Sequence, residues 1–148
     1  MFPNAKGSEL LSVLATLDPA SQAVGAASTA WVPVANYFGL LAMVQTGVLG
    51  TSATVDAKVQ QALDSSGTGA KDISGKVITQ IVKATGDNKQ VLVNVKPEDI
   101  DIVNGFGFVR VTVTVGVAAS ITSAQLLGVN PRYAPAEVGN QAAVVQVL

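Results

Sequence analysis

The chain has 148 residues, ten acidic and nine basic side chains, a net charge of −1, and neither Cys nor His. This length fits one domain able to bury a core without metal or disulfide support. The missing residues exclude a disulfide framework, a thiolate nucleophile and a Cys-based metal site, and remove the commonest general base and metal ligand.

Residues 1–30 read as an N-terminal arm with a first element. Ser8, Glu9 and Leu10–Leu17 fit a helical turn or a strand equally, and Asp18-Pro19 is expected to end it. Residues 20–30 are small and polar, as in an extended connection. Trp31–Tyr37 fits an edge strand, because Pro33 cannot donate to a ladder. Gly39–Leu49 is apolar on both faces, as in a central strand. Across Thr54–Leu63 the residues alternate. Val55, Ala57, Val59 and Leu63 lie on one face, and Thr54, Asp56, Lys58 and Gln60 on the other. A turn is written in Asp64-Ser-Ser-Gly-Thr-Gly69. Asp72–Lys83 has mixed periodicity, but Gly75 and the β-branched content favour a strand.

After a turn at Gly86-Asp-Asn88, Val91, Val93 and Val95 alternate with Leu92, Asn94 and Lys96. Pro97-Glu98-Asp99 suits a turn or one helical turn. The clearest strand is Phe106–Val117, with Val109, Val111, Val113, Val115 and Val117 on one face and Arg110, Thr112 and Thr114 on the other. Ser123–Val129 is another strand, closed by Asn130-Pro131. Residues 134–141 read as a loop, and Ala142–Leu148 as an apolar strand or arm. The pattern predicts an all-β fold: an antiparallel β-sandwich, jelly-roll or Ig-like, of about eight strands with extended terminal arms. Its organisation is 1–30 (arm and first element), 31–133 (sandwich) and 134–148 (loop and strand or arm).

Charged residues make up 13% of the chain, against about 25% in an ordinary globular domain, and mean hydropathy is +0.44. A compact sandwich rich in Ala, Val, Ser and Thr would account for this. Coverage of the surface by other subunits accounts for it better, since apolar, weakly charged surface associates in water. The basic residues are scattered singly, so free nucleic acid is not an expected partner. The charge-free stretch between Asp18 and Asp56 is interrupted by Pro33, Asn36, Gln45, Thr46 and Gly47. Its apolar runs fall short of the ~20 residues of a membrane span, so buried β-structure is expected and a membrane is not. Leu10–Leu17 follows Lys6 as a leader's apolar region would, but Glu9 and Asp18 flank it, and a cleaved signal peptide is not expected.

No pattern points to catalysis. Ser74 and Lys76 stand two apart, as a Ser–Lys pair could by chance. Glu98, Asp99 and Asp101 could do acid–base work, but acids after Pro97 suit the start of a helical turn. Asp64 and Asp72 around the glycines lack the spacing of a calcium loop. Gly75-Lys76 is followed by Val77 rather than Ser or Thr, and Asp72 stands where a G-x-G-x-x-G would need its last glycine. The chain is therefore read as non-enzymatic, with no catalytic residue, cofactor or metal. Trp31, Tyr37, Phe38, Phe106, Phe108 and Tyr133 read most simply as core or edge-packing residues. Trp31, Tyr37, Arg132 and Tyr133, of residue types enriched at interfaces and near predicted strand ends, are also the candidate assembly contacts.

The chain resembles small virion structural proteins of tailed bacteriophages, most of all capsid decoration (cement) proteins. The resemblance rests on Ala53-Thr-Val-Asp-Ala-Lys58, Asp64-Ser-Ser-Gly-Thr-Gly-Ala-Lys-Asp-Ile-Ser-Gly-Lys76, Asp87-Asn-Lys-Gln90, Gly105-Phe-Gly-Phe-Val-Arg-Val-Thr-Val-Thr114 and Leu127-Gly-Val-Asn-Pro-Arg-Tyr-Ala-Pro135. It covers residues 30–135 and contains no catalytic signature. It implies a β-sandwich bound to the outer surface of a capsid assembled in the host cytoplasm, bridging neighbouring capsid subunits against internal pressure. The implied partners are the major capsid protein or other virion subunits, with homo-oligomers expected. Another virion component (neck, head–tail connector or tail protein) is a close alternative. A carbohydrate- or receptor-binding module is a more distant one, which would require an aromatic platform or a polar pocket.

Overall fold

The computed structural model describes residues 4–133 and 135–148. A single helical turn, α1 (Gly7–Leu10), leads into ten strands: β1 (Leu11–Gln22), β2 (Gly25–Ser28), β3 (Val32–Pro33), β4 (Tyr37–Thr46), β5 (Thr54–Ala62), β6 (Lys71–Val77), β7 (Ile81–Val82), β8 (Gln90–Val95), β9 (Phe108–Gly116) and β10 (Ser120–Pro131). A second helical turn, α2 (Lys83–Gly86), lies between β7 and β8, and 3-10 turns occupy Pro97–Asp99, Ile102–Asn104 and Ala136–Gly139.

The strands form two antiparallel sheets. The first runs β1-β10-β4-β8; the second runs β2-β9-β5-β6, with β3 paired to β9 and β7 to β5. β2 with β3, and β6 with β7, each act as one broken strand. Eight strand positions result, in the double Greek-key order of a jelly roll. This decides between the two sandwich topologies that the sequence left open.

Alternation explains the packing. Val109, Val111, Val113 and Val115 of β9 and Val55, Ala57 and Val59 of β5 are buried against Leu40, Ala42 and Val44 of β4 and Ala124 and Leu126 of β10. Each fully buried Val or Leu contributes roughly 1.5–3 kcal/mol. The rows end where the strands do. Val117, expected on the buried face, lies in the β9–β10 turn with φ 69° and is 68% exposed. Leu63 lies just past the end of β5 and is 40% exposed.

Residues 4–30 depart most from expectation. The helical turn and the strand both occur, in series, and β1 pairs with β10 from Leu11↔Val129 to Gln22↔Ser120. Residues 1–3 of the expected arm lie outside the described residues. Asp18-Pro19 does not stop β1, but coincides with a register irregularity between Leu17 and Ala20. An edge strand tolerates such a bulge, because a proline there breaks no ladder on its open side. The strand expected over Trp31–Tyr37 shrinks to β3, with Tyr37 opening β4. Ala142–Leu148 is an arm and not a strand.

Tyr37 locks one end of the first sheet. Its hydroxyl donates to Ser12 Oγ at 3.0 Å, and Ser12 Oγ in turn donates to Ala136 O. The ring lies over Gly128, where a Cβ would sit 2.5 Å from it. Gly128→Ala is therefore expected to cost about 1–3 kcal/mol by overpacking, read as a lower urea midpoint with unchanged slope. An unchanged midpoint would refute the clamp.

Candidate interaction surface

The strand directions gather loops 34–36, 63–70 and 96–107, residues 4–10, and residues 132, 133 and 135–141 at one end of the sandwich. The four candidate contacts fall toward this end but do not form one site. Tyr37 and Tyr133 line a hollow of about 190 Å3 with Asn36, Pro131, Pro135, Ala136, Val138 and Gly139. Arg132 lies beside it with its guanidinium 4.4 Å from the Phe38 ring centroid, and its N–H donates to Asn36 O at 2.8 Å. Tyr133 is 78% exposed, whereas Tyr37 is buried and structural.

Trp31 belongs to the second sheet. Arg110 stacks on its ring at 4.5 Å, and a Cβ on Gly67 would lie 2.5 Å from its indole nitrogen. Gly67, at φ 85°, is thus needed both for the turn and for the indole's approach.

The residues weighed for chemistry are tied into structure. Asp64 Oδ1 accepts from the N–H groups of Ser66 and Thr68, closing the β5–β6 turn. Asp99 accepts from Lys96 N–H and pairs with Lys76, and Asp101 pairs with Lys71 at 2.6 Å. Glu98 pairs with Lys96 in the same loop. Among the described residues no group of three or more acidic side chains is placed to hold a metal ion, and no helix is long and apolar enough to cross a membrane.

A larger feature escaped the residue-by-residue reading. The strands of the first sheet carry one charged residue between them, Asp18. The strands of the second carry six: Asp56, Lys58, Lys71, Asp72, Lys76 and Arg110. On the second sheet these are organised. Gln60 Oε1 accepts from Arg110 Nε and Nη2 and from Thr112 Oγ1, while Gln60 Nε2 and Lys58 both donate to Asp72. The outward face of the first sheet instead presents rows set by register. Val13 lies beside Leu127, Leu41 and Asn94 in turn, and Thr16 beside Gln125, Met43 and Leu92. Leu92 is 57% exposed. Alternation within each strand was legible in the sequence; the summing of four charge-poor outward faces, with Asp18 as their one charged strand residue, onto one side was not, because it depends on strand order.

Five aspartates are held below their ordinary carboxylate range. The causes are, for Asp64, hydrogen bonds from the Thr68 side chain and backbone, and for Asp72, those from Lys58 and Gln60. For Asp87 they come from Lys83 and the Leu49 backbone, for Asp99 from the Lys96 backbone and Lys76, and for Asp101 from Lys71 and Asn104. A lowered folded-state value favours the fold above the unfolded value and is lost as pH falls through the folded one. Stability is therefore expected to hold from neutrality down to about pH 5 and to fall below about pH 4. Urea midpoints across this range test it, and Asp99→Asn should flatten part of the acid limb.

No family model matches the chain, and no curated protein matches it. Among solved structures, the prophage-derived protein YomS of SPBc2 is similar at 10% identity and TM-score 0.44, over 79% of this chain and 91% of that one. A cellulose-specific carbohydrate-binding module, CBM28, is similar at 12% identity and TM-score 0.42, over 73% and 67%. A chain of Triatoma virus is similar at 8% identity and TM-score 0.42, over 90% and 70%. At such identities none of these likenesses bears on what this chain binds.

Proposed function

We propose that the chain is a non-enzymatic structural subunit of a tailed-phage virion that decorates the outer surface of the capsid and bridges neighbouring capsid subunits. The observation that carries the assembly reading is the segregation of charge between the two sheets. A free-standing jelly roll has both outward faces in water, and scattered charges on both would keep it from associating. Here one face is polar, ion-paired and suited to solvent, and the other carries rows of Val, Leu, Met, Thr and amide side chains with Asp18 as its one charged strand residue. A face of that composition is suited to contact with another protein, where charge is depleted at the centre and apolar groups are desolvated. The capsid as partner rests on the sequence resemblance, and many modest contacts per particle would sum to strong cross-linking.

The carbohydrate-binding alternative is weaker on geometry. The one tryptophan has a ring face covered by Arg110 and its indole nitrogen packed close on Gly67. The ring is half-buried, with one face already taken by a cation. The polar side chains around it hydrogen-bond to one another. Another virion position, such as the neck, connector or tail, would use the same charge-poor face but with ring symmetry.

The reading is tested by adding the purified chain to capsids lacking it and measuring binding and the heat resistance of the particles. Met43→Lys and Gln125→Lys, central on the first sheet, are each expected to weaken binding at least about tenfold, since burying an unpaired charge costs more than about 1.4 kcal/mol. Thr114→Lys on the second sheet is expected to leave it unchanged. Equal effects from both faces would sink the assignment of the contact face, and no binding by the native chain would sink the capsid partner.

A further inference from the structure

Sheet edges expose unpaired N–H and C=O groups, and proteins guard them with bulges, prolines, charges or very short strands. Three of the four edges here are guarded. β6 carries Lys71, Asp72 and Lys76, with Gly75 at φ 73° and a register irregularity against β5. The β2–β3 edge is broken into strands of four and two residues, and Pro33 lies in the second. β1 has its two irregularities and Asp18-Pro19, and its open side is occupied where Gln141 N–H donates to Val13 O and Val13 N–H to Asn140 Oδ1.

The fourth edge, β8, has none of these devices. Its sequence Gln-Val-Leu-Val-Asn-Val contains no charge, proline or glycine, and it pairs with β4 in unbroken register from Leu40↔Val95 to Gln45↔Gln90. Among the described residues it has no strand on its other side.

The same chain leaves one segment of matching chemistry unpaired. Residues 142–148, Ala-Ala-Val-Val-Gln-Val-Leu, are uncharged and rich in β-branched side chains. Val145 is 94% exposed and Leu148 95%. Among the described residues the last hydrogen bond along this segment runs from Val144 N–H to Gln141 O.

We infer that residues 142–148 of one copy add as a fifth strand to the β8 edge of a second copy, linking decoration subunits to one another. The occupant is a second copy because a chain cannot serve its own β8 in full. The segment departs from the open side of β1 beside Val13, and the open side of β8 lies across all four strands of the sheet. That crossing is about 24 Å, roughly seven residues of extended chain, so residues 142–148 of the same chain cannot pair along β8. In a neighbour all seven are available. Backbone bonds would supply affinity, and alternate side chains would extend both faces of the first sheet, with one set packing near Val91 and Val93. This rests on the assembly reading above but concerns contacts between copies, not the contact with the shell.

The absence of native cysteine makes the test direct. Two single-cysteine chains, Val145→Cys and Leu92→Cys, each central in its segment, are mixed under mild oxidation, both free and bound to capsids. Val144→Cys covers the neighbouring register. The expected result is a mixed disulfide dimer, several times more abundant than when the arm variants are mixed with Thr114→Cys on the other sheet, and lost when Val145→Pro and Val147→Pro are added to the Val144→Cys arm. Cross-linking no greater than the Thr114→Cys control, with both arm variants and in both states, overturns the inference. If the chains still bind capsids in that case, the decoration reading stands and only the exchange between copies falls.

Discussion

The packing of β9 between β5 and the strands of the opposite sheet is the constraint from which the rest of the molecule follows. Val109, Val111, Val113 and Val115 make the inward face of β9 wholly apolar. The buried Gln61 at the end of β5 is satisfied by the Asp101 N–H, while the charged side chains of the second sheet stand outward. There they organise around Gln60, which is bonded at once to Arg110, Thr112 and Asp72. Glycine is needed at two places where a ring lies on the backbone: Gly128 under Tyr37 within the first sheet, and Gly67 beside Trp31 outside the second.

The two outward faces answer to different solvents. The second sheet looks like a surface adapted to water, with ion pairs, hydroxyls and a stacked cation on its tryptophan. The outward rows of the first sheet instead carry apolar, hydroxyl and amide side chains, with Asp18 the one charged residue on its strands. A jelly roll built this way has two chemically different sides, a difference set by strand order.

Much of the fold was legible in the sequence because its strands follow a period of two. β5 and β9 could be read almost residue by residue, since each buries one face and wets the other. The breaks were harder. Asp18-Pro19 has the local chemistry of a stop, yet the pairing of β1 with β10 continues through it, because a long-range ladder outweighs a local preference at an edge. Trp31 reads as an interface residue by type, and only the positions of Arg110 and Gly67 reveal it as a packed side chain. The interaction surface was the least legible feature. Low overall charge announced that some surface is neutral, but where that neutrality collects is a property of strand order, which no local pattern encodes.

The pairing of β1 with β10 also sets the order of events when the chain is made. The strand that begins at Leu11 has its partner at the far end of the domain, finishing at Pro131. β4 likewise waits for β10 as its neighbour on one side. The first sheet therefore cannot close until nearly the whole domain has left the ribosome, and loop closure over such a span precedes any gain from the contacts. Folding of the first sheet is accordingly a late event, and β10, with the uninterrupted uncharged run Ser120–Pro131, is the strand that completes both neighbours at once.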